Sequence, residues 1–141
     1  MKNSLKTLQR IQKFSIDEQR KILNDYLEAE EKLHHRLQKL NQEFENEKEF
    51  ARTHAAGDFG AYVKRYMKNR DALEAQLRAL RLKIEEVRDI IADMFKEQKT
   101  YEIVDHNRAA RQQKEEDDKT QKTLDEIGTN AYIKRKKQTQ E

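Results

Sequence analysis

Apolar residues recur at alternating spacings of three and four along one stretch of this chain: Phe59, Val63, Tyr66, Leu73, Leu77, Leu80, Ile84, Val87, Ile91, Met94 and Tyr101. That is the heptad period, which a long α-helix satisfies by burying one narrow stripe against another helix. Arg70 and Gln98 stand in phase within the stripe, and polar residues there weaken a seam while fixing its register. The same spacing runs through Leu23, Tyr26, Leu33, Leu37, Leu40, Phe44 and Ala51, with Glu30 and Glu47 in phase. Leu5, Leu8, Ile11, Phe14 and Ile16 are apolar but drift from that register. The first turns are therefore expected to pack differently or to stand free.

Composition supports long helices with a thin core. The chain has no proline, so nothing forces a kink or break. Hydrophobic residues make up 35% of it, below the roughly 45–50% of globular domains. Charged residues reach 40%, yet 30 basic and 27 acidic side chains nearly cancel to a net charge of +3. A disordered chain can share that composition, but it would not hold a heptad phase over such a length. Interspersed charges suit a solvated helix surface, and Asp17–Lys21, Glu28–Lys32, Glu74–Arg78 and Glu115–Lys119 have the favourable order for ion pairs four residues apart.

His54-Ala55-Ala56-Gly57-Asp58-Phe59-Gly60 separates the two seams and holds two of the three glycines. Gly57 suits a left-handed helix end and Asp58 a cap for the next helix, so a hairpin turn is expected. The expected fold is all-α, an elongated antiparallel two-helix coiled-coil hairpin with a longer, overhanging second helix. Its parts are a first helix over 1–54, a loop over 55–60, a second helix over 61–127 and a flexible basic tail over 128–141, with Gly128 as the helix end. A turn centred near residue 58 pairs position i with roughly 116 minus i. Leu37 then faces Arg78 to Leu80, Tyr26 faces Ile90 and Ile91, and Phe14 approaches Tyr101. Beyond about residue 115 the second helix has no partner within the chain. Residues 116–127 would extend the rod by roughly 18 Å.

Catalysis finds no support in the sequence. There is no cysteine, hence neither a disulfide nor thiol chemistry. Glu31 and His34 have the Glu-x-x-His spacing of di-iron bundles, but such sites require a second copy and further inward carboxylates. His54 and His106 lack ligand spacing. Asp58-Phe59-Gly60 matches the magnesium-binding tripeptide of protein kinases by chance, since no catalytic loop accompanies it. No catalytic residue, metal site, cofactor or small-molecule substrate is expected, and a two-helix rod offers no enclosed pocket. No run approaches the roughly 18 apolar residues that span a bilayer. Basic residues at Lys2, Lys6 and Arg10 without a following apolar region give no secretory leader, so a cytoplasmic location is expected.

Two stretches suggest partners. Lys134-Arg135-Lys136-Lys137 could bind nucleic acid or an anionic membrane, but only Tyr132 offers an aromatic platform nearby, and so short a run in a charge-balanced chain is more often a solvated tail. Lys2 to Lys13, basic and apolar, could lie on a membrane or in a groove, or pack on the hairpin's base. A parallel, dimeric coiled-coil tether is a third alternative.

The chain resembles the flagellar FliJ family, small coiled-coil proteins of the type III export apparatus. The residues that carry the resemblance are Leu5-Lys6-Thr7-Leu8-Gln9-Arg10-Ile11, the run from Tyr66 to Arg88, and Gln121-Lys122-Thr123-Leu124-Asp125-Glu126. It covers nearly the whole length, apart from the segment after Gly128. It implies a stalk like that of rotary ATPases, inserted in a hexameric export ATPase and contacting the export gate, with export chaperones as further partners and with peripheral association at the inner membrane. On that reading Leu5, Leu8, Ile11, Arg108, Arg111, Lys122, Leu124, Asp125 and Glu126 are the expected partner contacts. Leu33, Leu37, Leu40, Phe44, Leu73, Leu77, Leu80, Ile84, Val87, Ile91 and Met94 form the coiled-coil seam.

Overall fold

The computed structural model describes residues 2–54 and 57–139. Two helices account for nearly all of them: α1 spans Lys2–Thr53 and α2 spans Phe59–Thr139. They pack against each other along the first part of α2, as the paired seams require. Leu77, Ile84 and Val87 are buried, while Leu33, Leu37, Leu40, Phe44, Leu73, Leu80, Ile91 and Met94 are half-buried. A two-helix seam shields each residue on one side only, so half-burial is the normal state of a core this thin.

The turn sits earlier than residue 58. Gln12 reaches Met94, Glu30 pairs with Arg81, and Asn41 meets Tyr66, so position i lies opposite roughly 110 minus i. This corrects the expected register. Leu37 lies level with the turn around Leu73, Tyr26 with that around Ile84, and Phe14, 67% exposed, points away from the seam rather than toward Tyr101. The cause is the length of α2, which begins at Phe59 and takes up residues assigned above to the loop. Asp58 accepts a backbone hydrogen bond from Tyr62 N–H at 3.2 Å, the first bond of α2. No glycine among the described residues has a positive φ, so the left-handed helix end is not the device used. Ala55 and Ala56 of the expected loop lie outside the described residues.

Aromatic packing closes the hairpin beside the turn. The Phe44 ring stacks on Tyr66 at 4.0 Å between centroids and lies 6.5 Å from Phe59 and 6.4 Å from Tyr62. Tyr66 is buried and donates its hydroxyl proton to Asn41 Oδ1 at 2.6 Å, so the ring's polar end is satisfied across the seam.

The first turns of α1 hold the register after all. Leu5 and Ile16 are buried, and between them Gln12 is the buried polar residue of the seam. With half-buried Gln9 and Gln19 they continue the heptad upstream from Leu23. Leu8 and Ile11 lie beside this line, which is why the apolar residues alone drift from the register. Two of the four polar positions in phase make contacts of their own: Glu30 pairs with Arg81 at 3.7 Å, and the Arg70 guanidinium sits 5.6 Å from the Tyr66 ring centre.

The basic end corrects a further expectation. α2 continues through Gly128 to Thr139, so residues 129–139 are helical rather than a flexible tail; Gln140 and Glu141 lie outside the described residues. Glycine in a helix interior costs only about 1 kcal/mol relative to alanine, which neighbours of high helix propensity can absorb. The ion pairs within single helices also differ from the expected set. Five follow three-residue spacing, Asp17–Arg20, Glu18–Lys21, Glu49–Arg52, Glu85–Arg88 and Lys99–Glu102, and Arg70–Asp71 joins neighbours in sequence. Both spacings bring side chains together on a helix face.

Candidate functional site

The hairpin's open end, or base, and the helix that runs past it gather the features that suggest partners. Leu5 packs on α2 at a groove of about 280 Å³ lined also by Asp105, Arg108, Ala109, Arg111, Gln112 and Glu115. The structure thus brings Leu5, Arg108 and Arg111 together. Leu5, however, is 8% exposed: its side chain holds the base closed and has little surface left for a partner. Leu8 and Ile11 lie on a neighbouring flank with Ser15, Met94, Glu97 and Tyr101. They are 46% and 57% exposed and form an accessible apolar edge. The opposite flank is basic, with Lys6, Gln9, Arg10 and Lys13 beside Gln98 and Glu102.

Gln12 locks these flanks in place. Its Nε2 donates to the Met94 carbonyl at 3.1 Å and to Glu97 Oε2 at 2.8 Å. A buried amide with two partners stabilises one register, because any slip of the helices would leave it unpaired in the seam. Arg20 lies 5.2 Å from the Phe95 ring centre and adds a cation–π contact nearby.

No family model, no curated protein and no solved structure matches the chain. The site therefore has to be read from its own geometry. Every residue from Asp105 to Thr139 is exposed, and α1 has its start opposite the Asp105–Glu115 turns. Residues 116–139 therefore project past the base as a single helix, about 36 Å long at 1.5 Å per residue, twice the expected overhang. Lys122, Asp125 and Glu126 share one strip of it with Thr129 and Asn130. Leu124 lies on another strip, 57% exposed, close to Ile127 at 60%. The nine expected contacts thus separate into the base, an apolar flank and two strips of the overhang.

Asp105, Gln112 and Glu115 of the base groove, with the exposed Ile127, Tyr132 and Ile133, are not among the nine contacts expected from the sequence. The groove residues could be found only once the register was known. Tyr132 and Ile133 follow from continuing α2 past Gly128, and Ile127 stands beside Leu124 just before it. His34 takes part in the hairpin: Arg81 donates to its Nε2 at 3.2 Å, which makes that ring nitrogen an acceptor. Among the described residues no group of three or more His, Asp or Glu is placed to hold a metal ion. No described helix is long and apolar enough to cross a membrane.

Proposed function

We propose that this protein is a non-enzymatic stalk of a flagellar type III export apparatus, which binds a hexameric export ATPase and couples it to the export gate. The observation that carries this reading is the overhang: a rigid hairpin continues into a single, fully exposed helix of about 36 Å. One helix is thin enough to enter the pore of a ring, whereas the two-helix body stops at its rim. The charged strip of Lys122, Asp125 and Glu126 lies on the inserted part, and Arg108 and Arg111 stand at the rim beside Leu5. The apolar flank of Leu8 and Ile11 is the surface offered to gate or chaperone partners.

The mechanism is mechanical. A single helix has different side chains on each face, so it contacts the ring's subunits unequally and biases which of them hydrolyses ATP. The two-helix body carries that asymmetry to the gate. The rod itself holds no active site and acts in the cytoplasm, at the inner membrane only through its partners.

The test is ATP turnover by a purified cognate export ATPase with the full chain and with a chain ended after Glu115. That cut removes the overhang and keeps the α2 turns on which Leu5 packs. The stalk reading expects stimulation by the full chain alone. Equal stimulation by both, or binding by neither, contradicts it. Retention of nucleic acid or anionic vesicles in place of the ATPase, lost on removal of Lys134 to Lys137 and in high salt, would favour the basic-tail alternative.

A further inference from the structure

The overhang carries a heptad stripe of its own: Asp117, Thr120, Leu124, Ile127, Ala131 and Lys134, all exposed. It lies on a different face from the hairpin seam, whose phase continues through polar Lys119, Lys122 and Glu126. The stripe is self-complementary when reversed. Read about a point between Asp125 and Glu126, Leu124 exchanges with Ile127, Thr120 with Ala131, and Asp117 with Lys134. A surface that complements its own reversal is what a two-fold dimer requires.

We propose that the overhang is a docking surface for a second copy of this chain, the two helices pairing antiparallel over residues 116–135. Leu124 of each copy packs on Ile127 of the other at the centre. Thr120 packs on Ala131 in the next layer, and Asp117 meets Lys134 at each end. On the flank Glu116 approaches Lys137, and every pair occurs twice by symmetry. Among the described residues none of these four charged side chains enters an ion pair within the chain. Lys114 and Arg135 also meet, a like-charge contact at the edge that weakens the dimer without changing its orientation.

Charge selects that orientation. A parallel pairing in register sets Asp117 on Asp117 and Lys134 on Lys134, whereas the antiparallel one joins opposites. The two hairpins also keep clear of each other. Each base begins at Glu115, level with Lys136 of the other copy, so the bodies extend in opposite directions along one axis. With two large apolar side chains per copy at its centre, the interface falls in the small, transient class. Lys122, Asp125 and Glu126 face outward from the pairing. It covers part of the helix that ring insertion needs, which makes the dimer a reversible resting form, but the inference stands whether or not the ring reading does.

Sedimentation equilibrium of the full chain tests it. The apparent mass is expected to rise with concentration from 17.0 kDa toward twice that value. Leu124→Glu with Ile127→Glu abolishes the rise, and circular dichroism shows the helix content kept, since neither residue packs on the hairpin. Lys134→Glu with Lys137→Glu, and Glu116→Lys with Asp117→Lys, each abolish it alone, and an equimolar mixture of the two restores it. For orientation, Thr120→Cys and Ala131→Cys in this cysteine-free chain are expected to give a disulfide only when mixed. A mass of 17.0 kDa at every concentration overturns the proposal. So does a dimer that survives the Leu124 and Ile127 changes, or one in which Thr120→Cys links to itself.

Discussion

Gln12 donates to Glu97 Oε2 at 2.8 Å across the hairpin, from the one buried polar side chain among the described residues of the seam. Glu97 is exposed and can be rehydrated if its partner is lost. Gln12→Leu is therefore expected to stabilise the hairpin by about 1 kcal/mol, since it places a larger apolar surface in the seam and strands only a solvated carboxylate. Gln12→Ala, which leaves a gap as well, is expected to destabilise it by about 1 kcal/mol. Thermal unfolding of the two variants checks the signs. A loss on Gln12→Leu would mean that the amide stabilises the pairing as well as selecting its register.

That residue also explains what was legible in the sequence. The seam of α2 could be read because its positions are mostly apolar, and it holds from Phe59 to Tyr101 as expected. The start of α1 could not, because Gln9, Gln12 and Gln19 occupy seam positions while Leu8 and Ile11 lie beside them. Apolar spacing alone then follows the wrong line. The turn lies a few residues earlier than expected because Phe59 and Gly60 enter α2, and a small shift at the turn moves every cross-helix pair by about six residues, nearly two helical turns. The base groove depends on that register, so its members could not be named in advance. Gly128 has the look of a stop in the sequence, but a lone glycine marks a helix end only where a left-handed residue is required.

Aromatic packing near the turn predicts a graded response. Tyr66→Phe removes the 2.6 Å bond to Asn41 and is expected to destabilise the hairpin by about 0.5–1.5 kcal/mol. Phe44→Ala removes the ring stacked on Tyr66, Tyr62 and Phe59. It is expected to cost about 2–4 kcal/mol, less than for a fully enclosed ring because Phe44 is half-buried. Urea unfolding followed by circular dichroism gives both values.

The Tyr62 hydroxyl is held above its ordinary value of 10.0, first by burial and then by the carboxylates of Glu47 and Glu43. A folded-state value above the unfolded one favours folding at pH below 10.0, and the contribution disappears as pH rises through the folded value. Stability is therefore expected to fall in strongly alkaline solution, and Tyr62→Phe to reduce that fall. Unfolding midpoints from neutral to alkaline pH check this; identical profiles for both chains would contradict it.

A Cβ added at Gly128 meets nothing within 4 Å, and the residue has no positive φ. Gly128→Ala is therefore expected to stabilise the overhang by about 0.5–1 kcal/mol and to slow amide exchange from Leu124 to Ile133. The hairpin seam, a separate packing unit, is expected to exchange as before. Unchanged or faster exchange around Gly128 would mean that the helix breaks there.

The central claim is that the hairpin continues into one unbroken overhanging helix, and a distance between spin labels at Lys6 and Gln138 tests it most directly. Lys6 lies beside Gln98 and Glu102, so the rise along α2 places the labels about 50 Å apart. Unlabelled chain in excess removes any signal between copies. A narrow distribution near that value supports the account; a broad one centred well below it would show the basic end folding back or unwinding, and would contradict the claim.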